Sequence, residues 1–188
     1  MRIISGQFRG RAIRAPEGRG TRPTSDRTRE AMFNVLAHAD WSPGLAEARI
    51  MDVFAGSGAL GFEALSRGAA FCLFVETESA ARGAIRDNIE AFNVFGKTRI
   101  HRRSALDLGP KPAAAGDPFS IVFMDPPYEY DLTAGALRQL AQGGWITKDA
   151  LVIAETSADA PAPDTPGWER LDERLSSSAR LTFLRRAD

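Results

Sequence analysis

The sequence predicts an α/β domain built on a mostly parallel sheet. Short apolar runs alternate with segments whose apolar residues recur at helical spacing, which is typical of such a fold. A glycine-rich turn follows the first apolar run of this core and opens a helix. Near the carboxyl terminus, two strand-like segments flank a run of serines and predict a closing hairpin.

The individual elements follow from local patterns along the chain. Residues 1–20 contain four glycines and alternate apolar with basic positions, so we expect a small basic β-hairpin there. Thr24 or Ser25 would cap the next helix. Further helices are predicted up to Gly68, over 78–92 and over 132–140, with a surface connection over 109–118. The predicted strands are 50–54, 71–75, 98–102, 119–124, 151–154, 168–175 and 179–184.

The composition is that of a globular protein with a short extension. Of the 188 residues, 44% are hydrophobic and 26% are charged. The apolar runs are too short to span a bilayer, and the N-terminus has no apolar stretch of signal-peptide length. The single cysteine, Cys72, allows no internal disulfide. We therefore expect a cytoplasmic protein, and a monomer, since nothing in the sequence demands a second copy.

The formal net charge of zero conceals a separation of charge along the chain. Residues 1–30 hold eight arginines and three acidic residues, a net charge of +5, and the other 158 residues therefore carry −5. A positive segment of this kind indicates an anionic partner more clearly than the sum does. Nucleic acid is therefore a candidate partner despite the neutral sum.

The segment 56–61 matches the pattern G-x-G-x-x-G directly after a predicted strand. Its glycines allow a sharp turn and close approach of a ligand, while the helix that follows offers free amides. Glu76 lies 20 residues beyond Gly56, where its carboxylate can accept hydrogen bonds from a ribose. These features alone suit a nicotinamide dinucleotide equally well, and they also fit a tight turn that binds nothing.

Two acidic residues favour S-adenosylmethionine over a dinucleotide. Asp52 lies in the strand four residues before the loop, where a carboxylate would repel pyrophosphate but suits the ammonium and sulfonium of a cationic cofactor. Asp125 provides a matching acid at the end of the fourth strand. In such sheets the ligand occupies the crevice at the carboxyl ends of the strands.

The fourth strand ends in Asp125, Pro126, Pro127 and Tyr128, an order that a rigid turn alone does not explain. An exocyclic base amine is a poor nucleophile because its lone pair is delocalised into the ring. Asp125 and the carbonyl of Pro126 can accept its two N–H bonds, and these contacts strengthen as the nitrogen becomes positive. Tyr128 can stack on the base. The chemistry needs no metal and no nucleophilic cysteine.

A nucleic-acid base must leave its stack to enter such a pocket, a step that is easier in an unpaired RNA loop. The basic N-terminal segment would then hold phosphates.

Several blocks together resemble one enzyme family. They are 1–6 with Arg9-Gly10-Arg11, the Arg22-Pro23-Thr24 block continuing to Asn34, the segments 52–61 and 63–69, Val75-Glu76 and the Asp125–Tyr128 segment. With these blocks the chain resembles, over nearly its whole length, the RsmD family of bacterial small-subunit ribosomal RNA guanine-N2 methyltransferases. The last block is shared by many amino methyltransferases, whereas the others are specific in combination.

The resemblance implies a Rossmann-like class I S-adenosylmethionine-dependent methyltransferase fold, with a seven-stranded sheet that ends in a reversed hairpin. It implies a basic extension over 1–40 that binds RNA and closes the cofactor site, followed by a methyltransferase domain over 41–188. The implied substrate is a guanine in 16S ribosomal RNA, within an assembling small ribosomal subunit.

The resemblance also implies the site residues. The expected cofactor-binding residues are Thr24, Asp52, Phe54, Ala55, Gly56, Ser57, Gly58, Glu76, Thr77, Ser104, Ala105 and Asp125. The expected RNA-binding residues are Arg2, Arg9, Arg11, Arg22, Arg27 and Arg29. The catalytic group is Asp125, Pro126, Pro127 and Tyr128. Related enzymes usually have Asp-Ala where this chain has Ser104-Ala105, so the serine hydroxyl, the backbone or Asp107 would meet the adenine.

Three alternatives remain open from the sequence. The same chemistry could modify adenine or cytosine amines in DNA or in other RNA, because the Asp-Pro-Pro-Tyr order does not specify the base. A nicotinamide-dependent oxidoreductase is disfavoured by Asp52 and Asp125. A non-catalytic RNA-binding module with the same fold is the third alternative.

Overall fold

The computed structural model describes residues 1–16, 24–127, 132–176 and 178–187. Its centre is a seven-stranded sheet in the order β3-β2-β1-β4-β5-β7-β6. The neighbours from β3 through β5 pair in parallel, and β7 runs antiparallel to both β5 and β6. The predicted α/β class and the reversed closing hairpin are thereby confirmed.

The strands are β1 Arg49–Val53, β2 Phe71–Val75, β3 Thr98–His101, β4 Phe119–Met124, β5 Ile146–Ser157, β6 Trp168–Leu175 and β7 Ala179–Arg186. The α-helices are α1 Asp26–His38, α2 Ala59–Ser66, α3 Ser79–Phe92 and α4 Thr133–Gln142. Single 3-10 turns occupy Phe95–Lys97 and Ala113–Ala115. Within the described ranges, no helix combines the length and apolar character needed to cross a membrane.

Strand β5 is longer than the sequence predicts. The prediction of 151–154 covers only its fully buried middle, whereas the strand begins at Ile146. Lys148 and Asp149 near its start are exposed, and the register with β4 shifts between Phe119 and Ile121. Because these polar residues lie beside an irregularity, the first part of β5 lacks the apolar run that identified the other strands.

Helices cover both faces of the sheet. On one face, α1, α2 and α3 pack with the alternate strand residues that include Phe74, Phe123 and Ile153. On the other face, α4 and Trp145 pack over residues such as Val53 and Met124. Burial of both faces explains why the central strands are continuous apolar runs rather than alternating ones.

The N-terminal segment is a minimal version of the predicted hairpin. Its two arms meet at one antiparallel bridge between Arg2 and Ala12, supported by a 3.0 Å hydrogen bond from Ile3 N to Arg11 O. Ile3 and Ile13 are buried in the core. Burial of these two apolar residues holds a short segment that hydrogen bonds alone would leave marginal.

Of the two N-cap candidates for α1, Ser25 is the cap, because its hydroxyl accepts from Thr28 N at 3.1 Å. Thr24 is left to make a different contact, described below.

Candidate cofactor and catalytic site

Four carboxylates lie on one face of the sheet at the carboxyl ends of its central strands. Asp52 is in register with Phe74 of β2 and Phe123 of β4, and Phe123 is in register with Ile153 of β5. Side chains alternate between faces, so the residues two positions beyond these partners point the same way. Those residues are Glu76, Asp125 and Glu155. They surround the point where the chain order reverses between β1 and β4, the usual ligand position in such sheets.

The glycine loop after β1 is held in a conformation that needs glycine. Gly56 and Gly58 have φ of +56° and +78°, values that residues with a Cβ rarely adopt. Phe54 also has a positive φ, +61°, which places backbone strain directly at the start of the loop. A Cβ on Gly56 would meet nothing within 4 Å, so the loop presents an open face there.

The carboxylate of Glu76 holds this loop through hydrogen bonds. Its Oε2 accepts from Gly56 N at 2.8 Å, and its Oε1 accepts from Glu78 N at 2.8 Å. Each carboxylate oxygen can accept more than one hydrogen bond, so the ribose contact predicted from the sequence is compatible with this geometry. The same carboxylate therefore shapes the loop and remains partly exposed beside it.

Asp52 lies beneath the loop, and its predicted contact with the cofactor stays a prediction. The residue is only 2% exposed, and its Oδ2 accepts from Gly61 N at 2.9 Å. Burial, with smaller contributions from Asp125 and Glu76, raises the pKa of Asp52 well above its usual value. Asp52 thus holds the first turn of α2 against β1.

The third glycine of the motif allows close packing between α2 and β2. A Cβ on Gly61 would lie 2.4 Å from Phe74 Cε1 and 2.6 Å from Cys72 Sγ. Both neighbours belong to a buried strand, so neither side chain has room to withdraw. Glycine is therefore required at position 61 because any Cβ would be too close to these two side chains, and not because of its backbone φ.

We expect Gly61→Ala to destabilise the protein by about 1–3 kcal/mol through overpacking. The same change should weaken cofactor binding, because α2 carries the glycine loop at its amino end. Chemical denaturation and calorimetric titration would measure the two effects. Gly83→Ala is the matched control, since its Cβ would meet nothing within 4 Å in the interior of α3. The control should gain roughly 0.5–1 kcal/mol from helix propensity and bind cofactor normally; equal behaviour of the two variants would contradict this packing argument.

Asp125 is positioned by the end of β4 and by the residue that precedes α1. Its Oδ2 accepts from the Thr24 hydroxyl at 2.9 Å, and Thr24 itself is buried. Burial and the nearby negative charge of Glu155 raise the pKa of Asp125 to about 7, while the Thr24 hydrogen bond opposes the shift. Pro126 is buried and Pro127 is exposed. Tyr128, the fourth residue of the predicted catalytic group, lies outside the described residues.

The turn after β3 contains the residues considered for adenine recognition. The Ser104 hydroxyl accepts from Leu106 N at 3.1 Å, and Ser104 O accepts from Asp107 N at 3.0 Å. Ala105 is buried, whereas Asp107 is exposed and lies 3.7 Å from Arg103. Ser104 can still donate its hydroxyl proton to a ligand, and the exposed carboxylate of Asp107 can still accept a hydrogen bond at this turn. Thr77 is exposed at the end of β2, and its carbonyl accepts from Arg82.

Four of the predicted RNA-binding arginines are exposed, and one is not. Arg2, Arg9, Arg11 and Arg27 lie on the surface, while Arg22 is outside the described residues.

Arg29 is fully buried, which corrects its assignment to RNA binding. Its Nη2 donates to Arg2 O at 2.9 Å and to Asp26 Oδ1 at 2.6 Å, and its Nη1 lies 3.7 Å from Glu63 Oε2. The sequence did contain a signal for this burial. Thr28, Arg29, Met32, Phe33 and Leu36 form the buried stripe of α1 at helical spacing.

Two other residues that the sequence did not single out link the extension to the cofactor loop. Asn88 of α3 is fully buried, and its Nδ2 donates both to Arg14 O at 3.0 Å and to Ser57 O at 3.2 Å. Glu63 of α2 accepts from Ile4 N at 2.8 Å and from Ser5 N at 3.0 Å. The basic extension is therefore connected to the loop from two sides.

Comparison with known proteins finds relatives that match nearly the whole chain. The family model described as "Conserved hypothetical protein 95" matches residues 1–185. "Ribosomal RNA small subunit methyltransferase D" of Escherichia coli K12 is 35% identical over 187 residues, covering 99% of this chain and 90% of the relative.

Two solved structures are similar over the whole chain. A structure described as putative methyltransferase yhhF from Escherichia coli has a TM-score of 0.84 at 35% identity and covers 100% of this chain and 98% of its own. Putative methylase HI0767 from Haemophilus influenzae has a TM-score of 0.77 at 29% identity, with the same coverage. With its fold, its glycine loop and its matching relatives, the chain belongs to the RsmD family, the one described as Conserved hypothetical protein 95.

Proposed function

We propose that this protein transfers the methyl group of S-adenosylmethionine to the exocyclic N2 amine of a guanine in 16S ribosomal RNA, within the assembling small ribosomal subunit. The observation that carries the proposal is Asp125, a partly exposed carboxylate at the end of β4 held by Thr24 beside the glycine loop. Methylation of ribosomal RNA is the activity of the family, as the name of the Escherichia coli relative states.

The cofactor is S-adenosylmethionine, which supplies an electrophilic methyl group on a positively charged sulfur. The residues of this site suit the cofactor, because the open face of the glycine loop lies among acidic residues whose negative charge favours a cation. We propose that Glu76 accepts from the ribose hydroxyls and that Ser104 or Asp107 contacts the adenine. Asp52 keeps the loop in position from below through Gly61.

Asp125 and the Pro126 carbonyl accept the two N–H bonds of the target amine. Their positions turn the nitrogen lone pair toward the methyl carbon and stabilise the positive charge that grows on nitrogen. Thr24 fixes one carboxylate oxygen, so that less reorientation is needed during the reaction. The aromatic ring of Tyr128 is proposed to stack on the flipped base.

The RNA phosphates are proposed to lie along the exposed arginines of the extension, Arg2, Arg9, Arg11 and Arg27, with Arg22 between them in the chain. Arg11 has a second role, since its guanidinium stacks 4.8 Å from the centre of the Phe92 ring. Arg9 and Arg27 are therefore better probes of RNA binding, because replacing them disturbs less of the fold.

We expect the double replacement of Arg9 and Arg27 by glutamine to weaken RNA binding and to reduce its salt dependence. The logarithm of the association constant falls with the logarithm of the salt concentration, and each lost phosphate contact should make this negative slope shallower by about 1. Filter binding at several salt concentrations measures this slope. Arg186→Gln is a suitable control, because this exposed arginine is the last residue of β7. It lies at the end of the sheet opposite to the carboxyl ends of the parallel strands. An unchanged slope in the double variant would place the RNA on another surface.

The substrate class is tested by incubating the protein with labelled S-adenosylmethionine and each of four acceptors. These are purified small-subunit particles, naked 16S RNA, large-subunit RNA and DNA, all from cells that lack this enzyme. Label should enter 16S RNA, most efficiently in the particle. Preferential labelling of DNA would instead support the same chemistry on adenine or cytosine.

A further inference from the structure

Asn88 is a polar residue on the buried face of α3, and it is itself fully buried. The other buried residues of that helix are Ala81, Ala84, Ile85, Ile89 and Phe92. A buried side-chain amide costs free energy unless its donors and its acceptor are paired. The partners of its hydrogen bonds therefore decide what Asn88 does.

The side chain of Asn88 binds the backbone of Arg14 at both its donor and its acceptor. Asn88 Oδ1 accepts from Arg14 N at 2.8 Å, and Asn88 Nδ2 donates to Arg14 O at 3.0 Å. A neighbouring antiparallel strand makes the same pair of hydrogen bonds to one residue. The contact therefore fixes both the position and the direction of the N-terminal segment at this point.

The same amide group also reaches the glycine loop. Asn88 Nδ2 donates to Ser57 O at 3.2 Å, between the two loop glycines that have positive φ. Glu76 holds the preceding residue through Gly56 N at 2.8 Å. Because the side-chain amide has only two N–H bonds, Asn88 uses both of them for this link. A change in the position of Ser57 therefore acts on the side chain that holds Arg14.

Helix α3 makes further contacts with this part of the N-terminal segment. Arg11 Nη2 donates to Ala91 O, and the Arg11 guanidinium lies 4.8 Å from the centre of the Phe92 ring. Phe8 stacks on Phe92 with ring centres 5.1 Å apart. The arm over residues 8–14, which includes the exposed Arg9, therefore rests on the helix that contacts the glycine loop.

We propose that Asn88 is a positioning residue that couples cofactor binding to RNA binding. A cofactor that fixes the glycine loop also fixes Ser57 O, which keeps the Asn88 amide directed toward Arg14 and holds the arm in place. By thermodynamic linkage, RNA bound on the arm raises the affinity for the cofactor by the same factor. The proposal rests on the proposed function in placing the cofactor at the loop and the RNA on the arm.

Hydrogen exchange tests the link between the loop and the arm without RNA. The amide proton of Arg14 is protected while it is bonded to Asn88 Oδ1. Saturating S-adenosylhomocysteine should slow exchange at this amide several-fold. In Asn88→Ala protein, exchange at the same amide should be fast and insensitive to the ligand. Equal exchange at Arg14 in the unchanged protein with and without ligand would overturn the proposal, and this comparison requires no variant to fold.

A binding cycle tests the coupling itself. Affinity for small-subunit particles from cells that lack this enzyme is measured with and without saturating S-adenosylhomocysteine, which has no methyl group to transfer. The ligand should tighten particle binding by at least about 5-fold, and the particles should tighten ligand binding by the same factor. A residue that only stabilised the fold would change the affinities but not this ratio. Equal particle affinity in the two states would overturn the coupling.

Variants assign the coupling to Asn88. Asn88→Ala should lose most of the ratio, whereas Asp87→Asn should keep it. Asp87 is the adjacent residue of α3 and pairs with Arg14 Nη1 at 3.2 Å, but both side chains are exposed. This control removes a contact with Arg14 and leaves the link to the loop intact. The lost charge changes particle affinity equally with and without ligand, so the ratio is unaffected.

A folded Asn88→Ala protein with the normal ratio would overturn the role of Asn88. Failure of the particles to bind in either ligand state would instead contradict the proposed function. Exchange at Arg14 would in that case still decide whether the loop and the arm are linked.

Discussion

Replacement of Asp125 by alanine is expected to lower the rate of methyl transfer by roughly 10²–10³-fold while leaving cofactor affinity within a few-fold of normal. The alanine removes an acceptor whose interaction with the amine strengthens as positive charge develops on nitrogen. Single-turnover assays and calorimetric titration measure the rate and the affinity separately.

Asp125→Asn is the informative companion to this variant. The amide retains one oxygen that can accept from the amine and from Thr24, so it should keep more activity than alanine. At pH 8 this variant should also be no less stable than the unchanged protein. Burial raises the pKa of Asp125, so the folded protein is destabilised when the Asp125 carboxyl ionises as the pH rises. Near-normal turnover in the alanine variant would contradict the role assigned to Asp125.

Replacement of Glu63 by alanine is expected to produce the largest loss of stability, about 3–5 kcal/mol. Glu63 is fully buried, accepts from the amides of Ile4 and Ser5, and pairs with Arg67 Nε at 2.8 Å. Its removal would leave the buried guanidinium of Arg29 without this nearby opposite charge. Denaturant unfolding monitored by circular dichroism measures the loss.

Replacement of Glu63 should also destabilise the N-terminal segment locally. Because Glu63 joins the N-terminal segment to α2, its loss should expose the amides of residues 4 and 5 to hydrogen exchange before the sheet opens. Glu47→Ala is a suitable control, as an exposed acid that precedes β1. A Glu63→Ala protein with the stability of this control would contradict the view that the buried ion pairs hold the extension in place.

Much of the fold could be predicted because its main signals are local. The central strands are buried on both faces and appear as apolar runs, and α1, α3 and α4 each carry a buried stripe at helical spacing. The β5 strand shows where this reasoning fails, since polar residues follow Ile146 at its start and lie beside a shift in register with β4. Tertiary pairing, rather than local pattern, extends that strand.

The site was harder to predict, because residue type alone does not reveal burial. Arg29 belongs to a run of exposed arginines in sequence, yet the helical phase of α1 turns it into the core. Asp52 is buried and accepts from Gly61 N, a structural contact that its residue type did not indicate. Glu155 directly follows an apolar run, 150–154, as Asp125 follows the run at the end of β4, and this shared pattern is the signal that could have identified it.

An exocyclic guanine amine is proposed to accept the methyl group. The identity of the methylated nucleoside tests this most directly, and it is obtained by digesting the labelled RNA and analysing it by mass spectrometry. We expect N2-methylguanosine from a single position in 16S RNA. Label recovered instead as methyladenosine, as a 2′-O-methylated nucleoside or as a guanosine methylated on the ring would contradict it.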